Sequence, residues 1–120
     1  MNILNPKVAV IGSGTWATAI VKILSETLPS LYWWVREPEI VESVQNTGRN
    51  PLYLSSVIIN PKQVKISNDL LKIVSKVDII VLVIPSAYLH NTISELTIKD
   101  FENKRVISAI KGVVPERMEF

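Results

Sequence analysis

Gly12, Gly14 and Ala17 have the types and spacing to do chemistry. They stand in Gly12-Ser13-Gly14-Thr15-Trp16-Ala17, directly after the apolar run Val8-Ala9-Val10-Ile11 and directly before a helix-forming segment. A Gly-x-Gly-x-x-Ala turn between strand and helix has a mechanism. Gly12 allows the tight turn out of the strand, Gly14 leaves a pyrophosphate free to approach the backbone, and Ala17 lets the helix lie close to the sheet. The first N–H groups of such a helix lack intrahelical partners and sit at the positive end of its dipole. They therefore favour an anion. Ser13 belongs to the same cradle.

A second group bears on the adenosine end of a dinucleotide. Arg36 ends the second apolar run, 24 positions after Gly12. Dinucleotide folds selective for NAD carry an acid there for the ribose 2′-hydroxyl, whereas an arginine suits the 2′-phosphate of NADP through charge and forked donors. Arg36 thus points to NADPH being accepted, with NADH as the alternative because Glu37 stands next to it and can serve the hydroxyl. Pro85-Ser86 closes the fourth apolar run on the ligand side of such a sheet, and Ser86 can cap the next helix. Lys111, beside Gly112, ends the fifth. His90 is the one histidine and is given no catalytic role.

These residues need a scaffold, and the pattern supplies an alternation of short apolar runs with helical segments. Strands are expected at Lys7–Ile11, Leu31–Val35, Val64–Ile66, Asp78–Ile84 and Arg105–Ile110. Helices are expected at Thr15–Leu28, Glu37–Gln45, Leu70–Ser75 and from Ala87 to about Leu96. The first should bury Ala19, Ile20, Ile23 and Leu24, and the second Ile40, Val41 and Val44. Ser67-Asn68-Asp69 offers a helix cap. The irregular stretch from Asn46 to Pro61 is expected to hold a short strand at Val57–Ile59. Right-handed crossovers then give an α/β, doubly wound, Rossmann-type parallel sheet in three αβα layers, ordered 3-2-1-4-5.

Composition limits the alternatives. The 120 residues form a single expected domain, 48% hydrophobic and 20% charged. The net charge is +2 with 13 basic residues scattered, so no nucleic-acid stripe stands out. No cysteine is present, which excludes disulfides and thiol chemistry, and one histidine excludes a multi-histidine metal cluster. The longest apolar run, Ile79 to Pro85, is too short to span a bilayer. No signal peptide is legible at the N-terminus, so a cytoplasmic protein is expected.

Together the glycine turn with Trp16, Thr18 and Ala19, the ending Trp34-Val35-Arg36, the motif Asn50-Pro51-Leu52-Tyr53-Leu54, Val83-Ile84-Pro85-Ser86 and Ile110-Lys111-Gly112-Val113 resemble the N-terminal domain of NAD(P)-dependent glycerol-3-phosphate dehydrogenases. Order and spacing agree across essentially the whole chain. Two departures stand out: Ala17 where the family commonly has glycine, and Ser55 where proline usually follows Tyr-Leu. The resemblance implies NADP or NAD as cofactor, bound by Gly12, Ser13, Gly14, Thr15, Trp16, Ala17, Arg36, Tyr53, Pro85, Ser86 and Lys111. It gives Lys111 a substrate contact as well. Thr15 could donate its hydroxyl to a phosphate or simply cap the helix, and Trp16 and Tyr53 have ordinary burial as their alternative. The implied reaction interconverts sn-glycerol 3-phosphate and dihydroxyacetone phosphate by hydride transfer, for phospholipid synthesis. The main catalytic base would lie in a helical C-terminal substrate domain that these residues do not include, so cofactor binding without turnover is expected of them. An isolated half of this kind could also pair as a homodimer through surface the second domain covers. The competing readings are the cofactor domain of another two-domain dehydrogenase and a stand-alone nucleotide-sensing module.

Overall fold

The computed structural model describes residues 5–109. Its elements are β1 (Val8–Ile11), α1 (Thr15–Thr27), β2 (Leu31–Trp34), α2 (Pro38–Thr47), β3 (Val64–Ser67), α3 (Leu70–Ser75), β4 (Ile79–Leu82), α4 (Ser86–Ile93), a 3-10 turn (Ile98–Phe101) and β5 (Arg105–Ser108). The strands form one parallel sheet ordered β3-β2-β1-β4-β5, as expected from the sequence.

Continuous apolar strands need cover on both faces, and the helices provide it. Val8, Val10, Leu31 and Trp33 pack on one face against Ala17 and Val21 of α1 and Ile40 and Val44 of α2. Ala9, Ile11, Tyr32, Trp34, Ile80 and Leu82 pack on the other against Leu70, Ile73 and Val74 of α3 and Leu89 of α4. Burying each such aliphatic side chain contributes about 1.5–3 kcal/mol, far above any propensity difference. Asp69 caps α3, its carboxylate accepting from the Lys72 N–H at 3.1 Å. Gly48 ends α2 in the left-handed conformation (φ +75°), where a Cβ would meet the Ile59 carbonyl oxygen.

Two expectations fail. The buried stripe of α1 is Ala17, Thr18, Val21 and Ser25, while Ile23 is 64% exposed and Ile20 and Leu24 only border the core. Ala17 is the residue of this face that meets the glycine turn, and its approach there leaves no room for a larger side chain. Val57–Ile59 is not a strand. Ile59 is fully buried, but its N–H donates to the Gly48 carbonyl at 2.6 Å, so the end of α2, rather than a strand, takes up its backbone. A further helical turn over Ile98–Phe101, unforeseen from periodicity, is held by a reciprocal Thr97–Asp100 capping box.

From β1 the chain runs outward to one side through α1 to β2 and α2 to β3, and α3 then carries it from β3 back across the sheet to β4 on the other side of β1. A crevice therefore opens at the carboxyl ends of β1 and β4, where ligands of such sheets bind.

Candidate functional site

The turn after β1 is built around Gly12. Its φ of +147° is rarely taken by L side chains, and a Cβ would run into the Val83 carbonyl oxygen and stand 3.4 Å from the Ala17 Cβ. Its N–H donates to the Trp34 carbonyl at 3.0 Å, and its carbonyl accepts from the buried Trp33 Nε1 at 2.6 Å. Gly14 differs. It is the N-cap of α1 at an ordinary φ of −73°, with no side-chain cap, and a Cβ there would meet nothing within 4 Å. Neither backbone nor packing requires glycine at 14. What the missing side chain leaves is open space in front of the uncapped first turn of α1. Thr15 is exposed and is the first helical residue, so it is not the cap.

A cavity of about 260 Å³ runs over this turn. Gly12, Ser13 and Gly14 line it from the turn, Trp34, Arg36 and Glu37 from the end of β2, and Tyr53 from the long loop. Ile84, Pro85, Tyr88 and Thr92 close it from the α4 side. The exposed Arg36 places its guanidinium carbon 5.8 Å from the centre of the Tyr88 ring. Glu37 accepts from Ser13 Oγ at 3.3 Å through Oε2, while its Oε1 is buried without a partner. A second cavity of about 230 Å³ adjoins on the other side of Gly14, bounded by Thr15, Trp16, Ala17, Val83, Ile84, Pro85 and Ala109. Trp16 is 54% exposed and donates from Nε1 to the Ala109 carbonyl at 3.1 Å, so it is a wall of that cavity and not core. A larger, more open hollow of about 710 Å³ lies where α1 and α2 end, away from the glycine turn at which α1 begins.

Asn50 holds the long loop to the turn. Wholly buried, its Nδ2 donates to the Ser13 carbonyl and to Thr18 Oγ1, both at 3.0 Å, and its Oδ1 accepts from the Leu52 and Tyr53 N–H groups at 3.1 Å. Tyr53 reaches the cavity through these bonds. Leu54 takes a left-handed φ of 62°, a conformation that a following proline would oppose and that Ser55 permits.

Gly12, Ser13, Gly14, Arg36, Tyr53 and Pro85 therefore share one cavity, and Thr15, Trp16 and Ala17 line its neighbour. The N-cap of α4 is Pro85, with Ser86 the first helical residue, so the capping alternative for Ser86 fails; its side chain lies outside the described set. Lys111 and Gly112 lie outside the described residues. Sequence reasoning gave no role to Asn50, Trp34, Tyr88 or Thr92. Tyr88 was within reach of it, because residue 88 falls about one helical turn after Pro85 and shares its face.

Residues 7–120 match the family model for the NAD-dependent glycerol-3-phosphate dehydrogenase N-terminus. The glycerol-3-phosphate dehydrogenase [NAD(P)+] of Oceanobacillus iheyensis is 34% identical over 109 residues, covering 91% of this chain and 31% of that protein. That of Maridesulfovibrio salexigens is 31% identical over 107 residues, covering 89% and 32%. The structure of the Saccharomyces cerevisiae glycerol-3-phosphate dehydrogenase superposes with a TM-score of 0.79 at 34% identity, over 88% of this chain and 33% of that one. The Coxiella burnetii enzyme gives 0.80 at 26% identity, over 93% and 34%. The chain thus spans about a third of the length of the relatives it matches. It belongs to the NAD-dependent glycerol-3-phosphate dehydrogenase N-terminal family.

Proposed function

We propose that residues 1–120 are the dinucleotide-binding part of an NAD(P)-dependent glycerol-3-phosphate dehydrogenase, which interconverts sn-glycerol 3-phosphate and dihydroxyacetone phosphate in the cytoplasm. The observation that carries the reading is the open space over Gly14, facing the uncapped N–H groups of α1. That space fits a pyrophosphate, which those donors and the helix dipole would hold. Arg36 and Glu37 would take the adenosine end, and the cavity between Trp16, Val83 and Pro85 the nicotinamide end. The chemistry a nicotinamide supplies there is hydride transfer at its C4. Trp16, Val83 and Ile84 would exclude water from that path. Lys111 is assigned to cofactor and substrate phosphate together, and the hydroxyl proton to a lysine of the helical part.

Calorimetric titration of the chain with NADH and NADPH tests this, repeated with Gly14→Asp. Aspartate is a favoured N-cap, so stability should stay within about 1 kcal/mol of the parent. Its carboxylate would occupy the phosphate position, and binding should weaken by about a hundredfold or more. No binding of either nucleotide to the parent chain, or undiminished binding to Gly14→Asp, overturns the reading. Catalysis is checked by dihydroxyacetone phosphate-dependent NADH oxidation after this chain replaces the matching third of a relative.

A further inference from the structure

The fold brings three lysines that are scattered in the sequence, Lys65, Lys72 and Lys76, to one cavity of about 220 Å³ between β3 and α3. Tyr32 and Ser67 supply the other polar groups of its wall. It shares no residue with the two cavities at the glycine turn apart from being on the same sheet. All three lysines are exposed, no carboxylate lines the cavity, and none of the three is ion-paired among the described residues. Asp69, three positions before Lys72, is engaged through Oδ1 as the cap of α3.

Each lysine has an ordinary role taken singly. Lys65 protects an edge strand, and Lys72 and Lys76 suit the negative end of α3. Their convergence goes against electrostatics, because like charges four residues apart on a helix repel and Lys65 adds a third. Tyr32 pairs with Lys65 in register across β2 and β3 and takes its ammonium over the ring, 5.2 Å from the centre. Tyr32 is only 8% exposed, yet its hydroxyl makes no hydrogen bond among the described residues. A phenol so enclosed ordinarily has a partner. Ser67 Oγ accepts from the Asp69 N–H at 3.0 Å, which leaves its own proton to donate.

The wall thus offers ammonium and hydroxyl donors and no anionic acceptor. Its complement is a small, multiply charged anion rich in acceptors. A phosphoryl group, with roughly −1.5 to −2 charge near neutral pH and three terminal oxygens, has that chemistry. A nucleotide base suits it less, since Lys65 already stands over the Tyr32 ring. We propose that this cavity is a phosphoryl-anion site separate from the dinucleotide site. Lys65, Lys72 and Lys76 supply its charge, and Tyr32 the directed hydrogen bond. The ligand is inorganic phosphate or the head of a phosphate monoester, soluble or carried by a lipid. The site stands whether or not the glycine turn binds a dinucleotide.

The test is an NMR titration of the isotope-labelled chain with inorganic phosphate, at ionic strength held constant with sodium chloride. Gly14→Asp is the background for every variant, so that the glycine turn cannot take the phosphate. Signals of Tyr32, Lys65, Ser67, Lys72 and Lys76 should move saturably, with a midpoint of about a millimolar or tighter. The double variant Lys72→Gln/Lys76→Gln should weaken binding at least about tenfold. Lys22→Gln, which removes an ion-paired lysine on α1, should leave it unchanged. Tyr32→Phe keeps the ring and every charge, and should weaken phosphate by about threefold or more. Circular dichroism melts verify that each variant is folded. Shifts that never saturate overturn the proposal, as does an unchanged midpoint in the folded double variant. Equal weakening by Lys22→Gln, or a folded Tyr32→Phe that binds as tightly as its background, overturns it too. Sedimentation with phosphatidylcholine vesicles, with and without phosphatidic acid, separates the two sources. Capture by phosphatidic acid that free phosphate reverses supports a lipid-borne head, and saturable phosphate binding without capture supports a soluble one.

Discussion

The indole of Trp33 donates to the Gly12 carbonyl oxygen at 2.6 Å, in the interior where neither group meets water. A strand residue of the core therefore holds the turn that lines the cavity. The bond crosses from β2 to the end of β1, so core packing and turn shape are one event.

Trp33→Phe should destabilise the chain by about 2–4 kcal/mol, from the smaller ring and the carbonyl left without a donor. Urea denaturation measures the first effect. Dinucleotide affinity should also fall, because the turn is no longer pinned; an affinity equal to the parent's would show that the rest of the sheet suffices to hold it.

Gly12→Ala should be more damaging than any change at Gly14. The added Cβ meets backbone, the Val83 carbonyl, at a φ of +147° that alanine rarely adopts. A loss of at least about 3 kcal/mol is expected. Parallel denaturation of Gly12→Ala and Gly14→Ala checks it, with Gly14→Ala remaining within about 1 kcal/mol of the parent.

Asn50→Ala should cost about 2–4 kcal/mol, since four hydrogen bonds from one buried amide are lost together and their partners stay enclosed. The loop from 50 to 55 should then open, and hydrogen exchange at the Leu52 and Tyr53 amides reads this directly. Protection as in the parent would mean that the Arg49 guanidinium, which donates to the Ser55 carbonyl at 2.8 Å, closes the loop unaided.

Asp69→Ala removes the cap of α3 and should lower stability by about 1 kcal/mol without touching dinucleotide binding. A thermal melt with and without NADH separates the two. An affinity change would show that the loss reaches the cavity through Trp34, which packs against α3.

The strands, their order and the glycine turn were legible in the sequence, because each rests on local chemistry. Val8–Ile11 and Ile79–Leu82 are continuous apolar runs that must be covered on both faces, and right-handed crossovers leave one simple order for them. Gly12 and Ala17 are read from spacing, since the turn and the helix approach fall within six residues. Which side of α1 is buried was not legible. The hydrophobic pattern favoured Ile23, whereas the close contact of Ala17 with the turn rotates the helix and leaves Ile23 in solvent.

The pairings that shape the cavity were decided only in three dimensions. Asn50 meets Ser13 across 37 positions and Trp16 meets Ala109 across 93. Such bonds exist because the sheet brings strand ends together, and nothing in the spacing marks them. Arg36 and Glu37 make the same point at shortest range. By residue type either suits the ribose, and the sequence determined only that a cation and a carboxylate both come after β2. Packing of Glu37 against Ser13 turned the carboxylate inward and left Arg36 over Tyr88, because the buried side of the turn has a hydroxyl to offer a carboxylate.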